Sequence, residues 1–117
     1  MLNKKVICFD IDGVICKTHK SDYKNSKPNV KVIKMINKLY KKNKIILFTS
    51  RFMGRNNEKI SLAKKQGYKF TVAQLRKWGL KYHELKFGKP SYDLIVDDKS
   101  IDFSTGWTKK LKTGFNI

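Results

Sequence analysis

The chain has 117 residues and a formal net charge of +18, and it contains no run of about 20 apolar residues that could span a bilayer. That length supports one domain, 1–117, with a real core and no room for a second. Two cysteines without framework spacing exclude a disulfide scaffold; Cys8 and Cys16 read as reduced cytosolic packing residues. A first strand is expected over about 4–10, and the acids Asp10 and Asp12 inside the early apolar run argue against a signal peptide. Residues 14–29 read as a polar loop or small hairpin carrying Cys16, Thr18, His19 and Asp22. Pro28 reads as a first-turn proline opening a helix in which Val32, Met35, Ile36 and Leu39 recur at helical spacing. A second strand covers Ile45 to Phe48. One helix is then expected from near Asn57 to Gln66 with Gly67 as its C-cap. A separate helix, N-capped by Thr71, would end at Gly79. Tyr82 to Phe87 and Tyr92 to Val96 complete the strands. Strands alternating with helices imply a parallel sheet with right-handed crossovers.

The most informative residues are Asp10-Ile11-Asp12-Gly13-Val14. Carboxylates two residues apart on an extended chain fall on one side, and Gly13 lets the backbone turn directly after them. Paired acids repel unless a cation or shared proton relieves them, so a hard divalent metal is expected there. The second strand ends in Thr49-Ser50-Arg51, and the last strand runs into Asp97-Asp98, with Gly88-Lys89-Pro90 shortly before it. A parallel sheet sets such strand ends side by side, which is where α/β sheets build ligand sites. The alternative for the first motif alone is an ordinary Asp-Gly turn after a strand.

With those residues in place, the chain resembles the haloacid dehalogenase (HAD) superfamily of phosphatases over roughly residues 4 to 100. Its four motifs match DxDGV at 10–14, Thr49, Lys89 and Asp97-Asp98. FTSR and GKPSYDLIVDD look like small capless members linked to capsule and lipopolysaccharide biosynthesis. Val14 departs from the Thr found there in many members. The resemblance implies an α/β, single Rossmann-like (HAD-like) three-layer domain with a parallel sheet and no cap. It implies Asp10 as nucleophile, Asp12 as acid and base, and Thr49 and Lys89 on the phosphoryl group. Mg2+ would take the Asp10 carboxylate, the Asp12 carbonyl and Asp97, with Asp98 behind them. Ser50 and Arg51 would touch substrate, a sugar or polyol phosphate. The spans 14–43 and 52–88 are too short for a folded cap, so a dimer or tetramer is expected to wall the site, through Trp107 and the tail.

Two rivals come from other classes. A response-regulator receiver uses similar groups, but its phosphorylated Asp ends a middle strand, and here that strand ends in Thr49. The +18 charge suggests a nucleic-acid module or polynucleotide end-phosphatase instead. Yet arginine occurs only at Arg51, Arg55 and Arg76, and the lysines are scattered over every helix, which reads as a solvated coat. His19 and His83 read as a solvated loop residue and a structural one, Trp78 and Trp107 as core or interface anchors, and Asp102 equally as a neighbour of the acidic pair or as a surface turn.

Overall fold

Val6-Ile7-Cys8-Phe9-Asp10 forms β1 (Val6–Asp10), whose three middle residues are all buried. A strand covered on both faces reads as continuous apolar sequence, the mark of a parallel-sheet interior. The structure is a computed structural model and describes residues 4–53, 59–88, 93–98, 100 and 105–115. β2 (Cys16–Lys17) and β3 (Lys27–Pro28) pair as a small antiparallel ribbon around a 3-10 turn, Tyr23–Asn25. α1 (Val30–Tyr40) leads to β4 (Lys44–Thr49), α2 (Ile60–Lys77) to β5 (Glu84–Phe87), and then come β6 (Leu94–Val96) and α3 (Trp107–Phe115). The four-stranded sheet has the order β5-β4-β1-β6, with all its pairs parallel.

That order sets where a ligand can bind. From β1 the chain moves outward through β4 to β5, then returns to β6 on the other side of β1. The strand order therefore reverses at β1, and the carboxyl end of the strand at such a reversal is where open α/β sheets bind ligands. Alternate side chains of the central strands feed two cores. Ile7, Phe9, Ile45 and Leu47 join Ile33 and Ile36 of α1 and Ala63 and Leu75 of α2, so both helices cover one face. Cys8, Ile46 and Phe48 form a smaller cluster on the other, flanked by Val6 and Ile95. Each fully buried aliphatic or aromatic side chain there contributes about 1.5–3 kcal/mol.

Local chemistry moves three of the expected boundaries. Pro28 belongs to β3, opposite Cys16, and α1 starts at Val30. The reason is Asn29, whose side chain accepts from the Val32 N–H at 3.2 Å; a proline has no acceptor with which to cap. The buried stripe of α1 is Ile33 and Ile36, while Met35 is exposed. The two helices expected around Gly67 and Thr71 are one, α2, which runs through both. Gly67 does not end the helix because the Phe52 ring packs where its Cβ would stand. Thr71 is buried one turn further on and caps nothing. Gly79 has φ +72 and follows the helix end as expected.

Candidate active site

The turn after β1 is tight because one carbonyl organises it. Ile11 O accepts from Val14, Ile15 and Cys16 N–H, and Gly13 N–H returns to Cys16 O at 2.8 Å. Gly13 sits at φ +94, open to glycine at little cost. The Asp98 carboxylate occupies the space where a Cβ on residue 13 would be, so any side chain there would displace it. Asp93 anchors the approach to β6: its N–H donates to Val6 O, and its Oδ2 accepts from Val6 N–H at 2.9 Å. The result at the carboxyl ends of β1 and β6 is a cluster of Asp10, Asp97 and Asp98, each offering an oxygen within 4.8 Å of the others.

That cluster is electrostatically expensive without a cation. Burial, then the charge of Asp97, and to a lesser degree Asp98 and Asp12, push the Asp10 carboxyl from 3.8 up to about 7, against a backbone hydrogen bond that lowers it. Converging hard oxygen donors that resist joint ionisation suit a small divalent cation. Asp98 is the exposed member of that cluster, while Asp10 and Asp97 are partly buried.

Asp12, two residues on, has an opposite environment. Burial raises its carboxyl, but the hydrogen bond and charge of Arg51, with hydrogen bonds from Thr18 and Cys16, outweigh this and leave it lowered. Arg51 Nε and Nη2 each donate to one Asp12 oxygen at 2.9 Å, and Thr18 Oγ1 donates at 2.5 Å. Arg51 is 0% exposed, its Nη1 donates to Gln74 Oε1 at 2.6 Å, and its guanidinium lies 4.8 Å from the Tyr23 ring centroid. Expected to reach substrate, Arg51 instead faces inward. An unpaired guanidinium could not be buried there, and Asp12 and Gln74 supply the pairing.

Thr49 ends β4 beside β1 and is buried; its Oγ1 accepts from the Arg51 N–H at 3.0 Å, which leaves the hydroxyl proton to donate elsewhere. Ser50 is exposed at the same strand end. Gly88 N–H donates to Thr49 O at 3.1 Å, so the chain leaving β5 starts beside this hydroxyl. Lys89, Arg55 and Asp102 lie outside the described residues, as does the side chain of Trp107. His83 is structural: its Nδ1 accepts from Ile45 N–H at 2.9 Å and its ring stacks on Tyr40. The sequence reading missed Gln74 and Tyr23 as the residues that fix Arg51, and Thr18 as an Asp12 partner. For Thr18 and Tyr23 the signal was the polar character of the 14–29 loop; Gln74, inside α2, carried none.

No protein-family model matches the chain, and no curated protein matches it. Solved structures do. A structural-genomics target from Vibrio cholerae is 21% identical over 95% of this chain and 98% of its own, with a TM-score of 0.68. A conserved protein from Bacteroides thetaiotaomicron is 18% identical over 97% and 92%, with a TM-score of 0.51. D,D-heptose 1,7-bisphosphate phosphatase from B. bronchiseptica, complexed with magnesium and phosphate, is 12% identical over 97% and 64%, with a TM-score of 0.50. At these identities the likeness is one of fold, and the fold is α/β, Rossmann-like and HAD-like.

Proposed function

We propose that the chain is a Mg2+-dependent phosphomonoesterase working through an aspartyl-phosphate on Asp10. The observation that supports this most is the convergence of the Asp10, Asp97 and Asp98 carboxylates at the sheet's reversal point. Asp10 and Asp97, with the Asp12 backbone carbonyl, would hold Mg2+, and Asp98 would orient the group around it. Bound there, the ion would offset the negative charge that otherwise keeps a phosphate dianion away.

The Asp10 carboxylate attacks phosphorus, and the bond from phosphorus to the leaving oxygen breaks. Asp12 gives that oxygen a proton, then takes one from the water that attacks the acyl phosphate, releasing inorganic phosphate and restoring Asp10. Arg51 favours the ionised form of Asp12, which suits the second half of the cycle; its grip must loosen for the first. Thr49 donates to the transferring group, and Lys89 neutralises charge beside it. Ser50 lines the mouth of the site, and Arg51 acts on substrate through Asp12. The resemblance of FTSR and GKPSYDLIVDD to capless enzymes of surface-polysaccharide biosynthesis favours a sugar or polyol phosphate at an open site.

The test is phosphate release with Mg2+ over sugar phosphates, polyol phosphates, nucleotides and 3′-phosphorylated oligonucleotides. Asp10→Asn is nearly isosteric and is expected to fold yet fall to background. EDTA should abolish turnover, and added Mg2+ should restore it. Near-normal turnover by Asp10→Asn would overturn the assignment.

A further inference from the structure

Asp12 does not use its two oxygens alike. Oδ1 accepts from Arg51 Nη2 at 2.9 Å and from Thr18 Oγ1 at 2.5 Å, with the Cys16 thiol at 3.5 Å. Among the described residues Oδ2 accepts from Arg51 Nε alone, so a lone pair remains on it for a further hydrogen bond. One guanidinium therefore sets both oxygens, and Gln74 sets the guanidinium. The Gln74 amide is committed at both ends: Oε1 accepts from Arg51 Nη1 at 2.6 Å, and Nε2 donates to Tyr23 O at 2.7 Å. Neither bond can be reversed, since a guanidinium only donates and a carbonyl only accepts. Gln74 thus joins α2 to Arg51 and to the turn of the 16–28 ribbon at one point. The Tyr23 ring covers the same guanidinium and is itself 5.1 Å from the Phe52 ring.

We propose that Gln74 is a positioning residue of the reaction, acting through Arg51 to aim Asp12 Oδ2 at the leaving-group oxygen. The inference rests on the phosphatase reading, in which Asp12 carries the proton. While Asp12 holds that proton its pairing with Arg51 is weakest, and the bonds of Gln74 keep the guanidinium in register at that moment. Asp12 then stays turned toward the leaving group, where a small misplacement is costly. Gln74 itself lies one side chain away from Asp12 and touches it only through Arg51. A glutamine that merely held α2 against the ribbon would affect every substrate alike. A residue that aims the acid is felt only where the leaving group needs a proton: an alkoxide does, and p-nitrophenolate does not.

The experiment compares two esters in the Mg2+-loaded protein: the alkyl phosphate turned over best in the phosphate-release screen, and p-nitrophenyl phosphate. The measured quantity is kcat/KM, which covers the steps up to cleavage of the leaving-group bond. Gln74→Met keeps the length of the side chain and a good helix former while removing both hydrogen bonds. It is expected to lower kcat/KM on the alkyl ester by about tenfold or more, and on p-nitrophenyl phosphate by less than about threefold. Gln74→Glu restores an acceptor for Arg51 Nη1 and should recover most of the alkyl-ester rate. The ratio of the two rates is taken within one preparation, so it does not depend on how much of a variant is folded. Equal losses on the two esters, no loss on either, or no recovery in Gln74→Glu would overturn the proposal. If wild type releases phosphate from no ester, the phosphatase reading fails and the proposal with it. If wild type cleaves both esters and Gln74→Met leaves their ratio unmoved, the proposal alone fails.

Discussion

Asp10 costs the most to ionise where it stands, and the sign of that cost is measurable. Burial, with Asp97 next, holds its carboxyl at about 7 in place of 3.8, so the folded state keeps the proton more tightly than the unfolded chain does. The associated stability is full below the unfolded value and is lost as pH rises from about 4 through about 7. Discounted for partial exposure, the loss is about 2 kcal/mol. Metal-free protein is therefore expected to melt lower at pH 8 than at pH 5. Saturating Mg2+ or Asp10→Asn should remove most of that slope. Identical slopes for wild type and Asp10→Asn, followed by calorimetry without metal, would count against it. Asp12 works in the opposite sense: its lowered carboxyl contributes stability above the unfolded value and loses it on acidification, below the Asp10 window. That Asp10, Asp12, Asp97 and Thr49 lie at or just past strand ends was legible in the sequence, because each closes or follows an apolar run. The direction of Arg51 was not. Its partners lie 39 residues before it and 23 after it, and only the fold brings them to one guanidinium.

The elements were legible where hydrophobic periodicity dominates and illegible where a single tertiary contact overrides local propensity. The four parallel strands follow their apolar runs, and the ribbon over residues 16–28 follows the polar loop expected there. Helix α2 is the exception. Gly67 and Thr71 look like a stop and a start, and glycine in a helix interior costs about 1 kcal/mol relative to alanine. Phe52, in the left-handed region at φ 66, places its ring against Gly67 and makes the missing side chain a packing requirement. Thr71 lies one turn on, buried, with its Oγ1 the described buried side-chain oxygen that has no hydrogen-bond partner. Valine has nearly the same shape and no hydroxyl to desolvate. Thr71→Val is thus expected to stabilise the fold by about 1 kcal/mol, a rise in Tm of about 3–5 °C. If Thr71 were acting as a helix cap, the same substitution would instead lower Tm by a comparable amount.

At the scale of the whole molecule, the +18 charge has two physical consequences that salt separates. Lysines spread over a surface repel one another and destabilise the compact state, an effect that ions screen over about 10 Å at 0.1 M. A nucleic-acid surface would bind many phosphates at once and lose about 10³–10⁵ in affinity between 50 and 200 mM salt. The described ion pairs are few and draw on Glu84 and Asp12, so most of the positive charge goes without direct compensation. The candidate site, by contrast, is built from carboxylates and a strand-end hydroxyl, a lining that does not attract a polyanion. Raising NaCl from 50 to 300 mM is therefore expected to raise Tm while lowering kcat/KM on a small phosphate ester by less than about tenfold. Parallel assays on a 3′-phosphorylated oligonucleotide provide the contrast. If the oligonucleotide is the better substrate at low salt and its turnover collapses by a thousandfold or more over that range, the lysine coat is a polynucleotide surface and the small-substrate reading gives way.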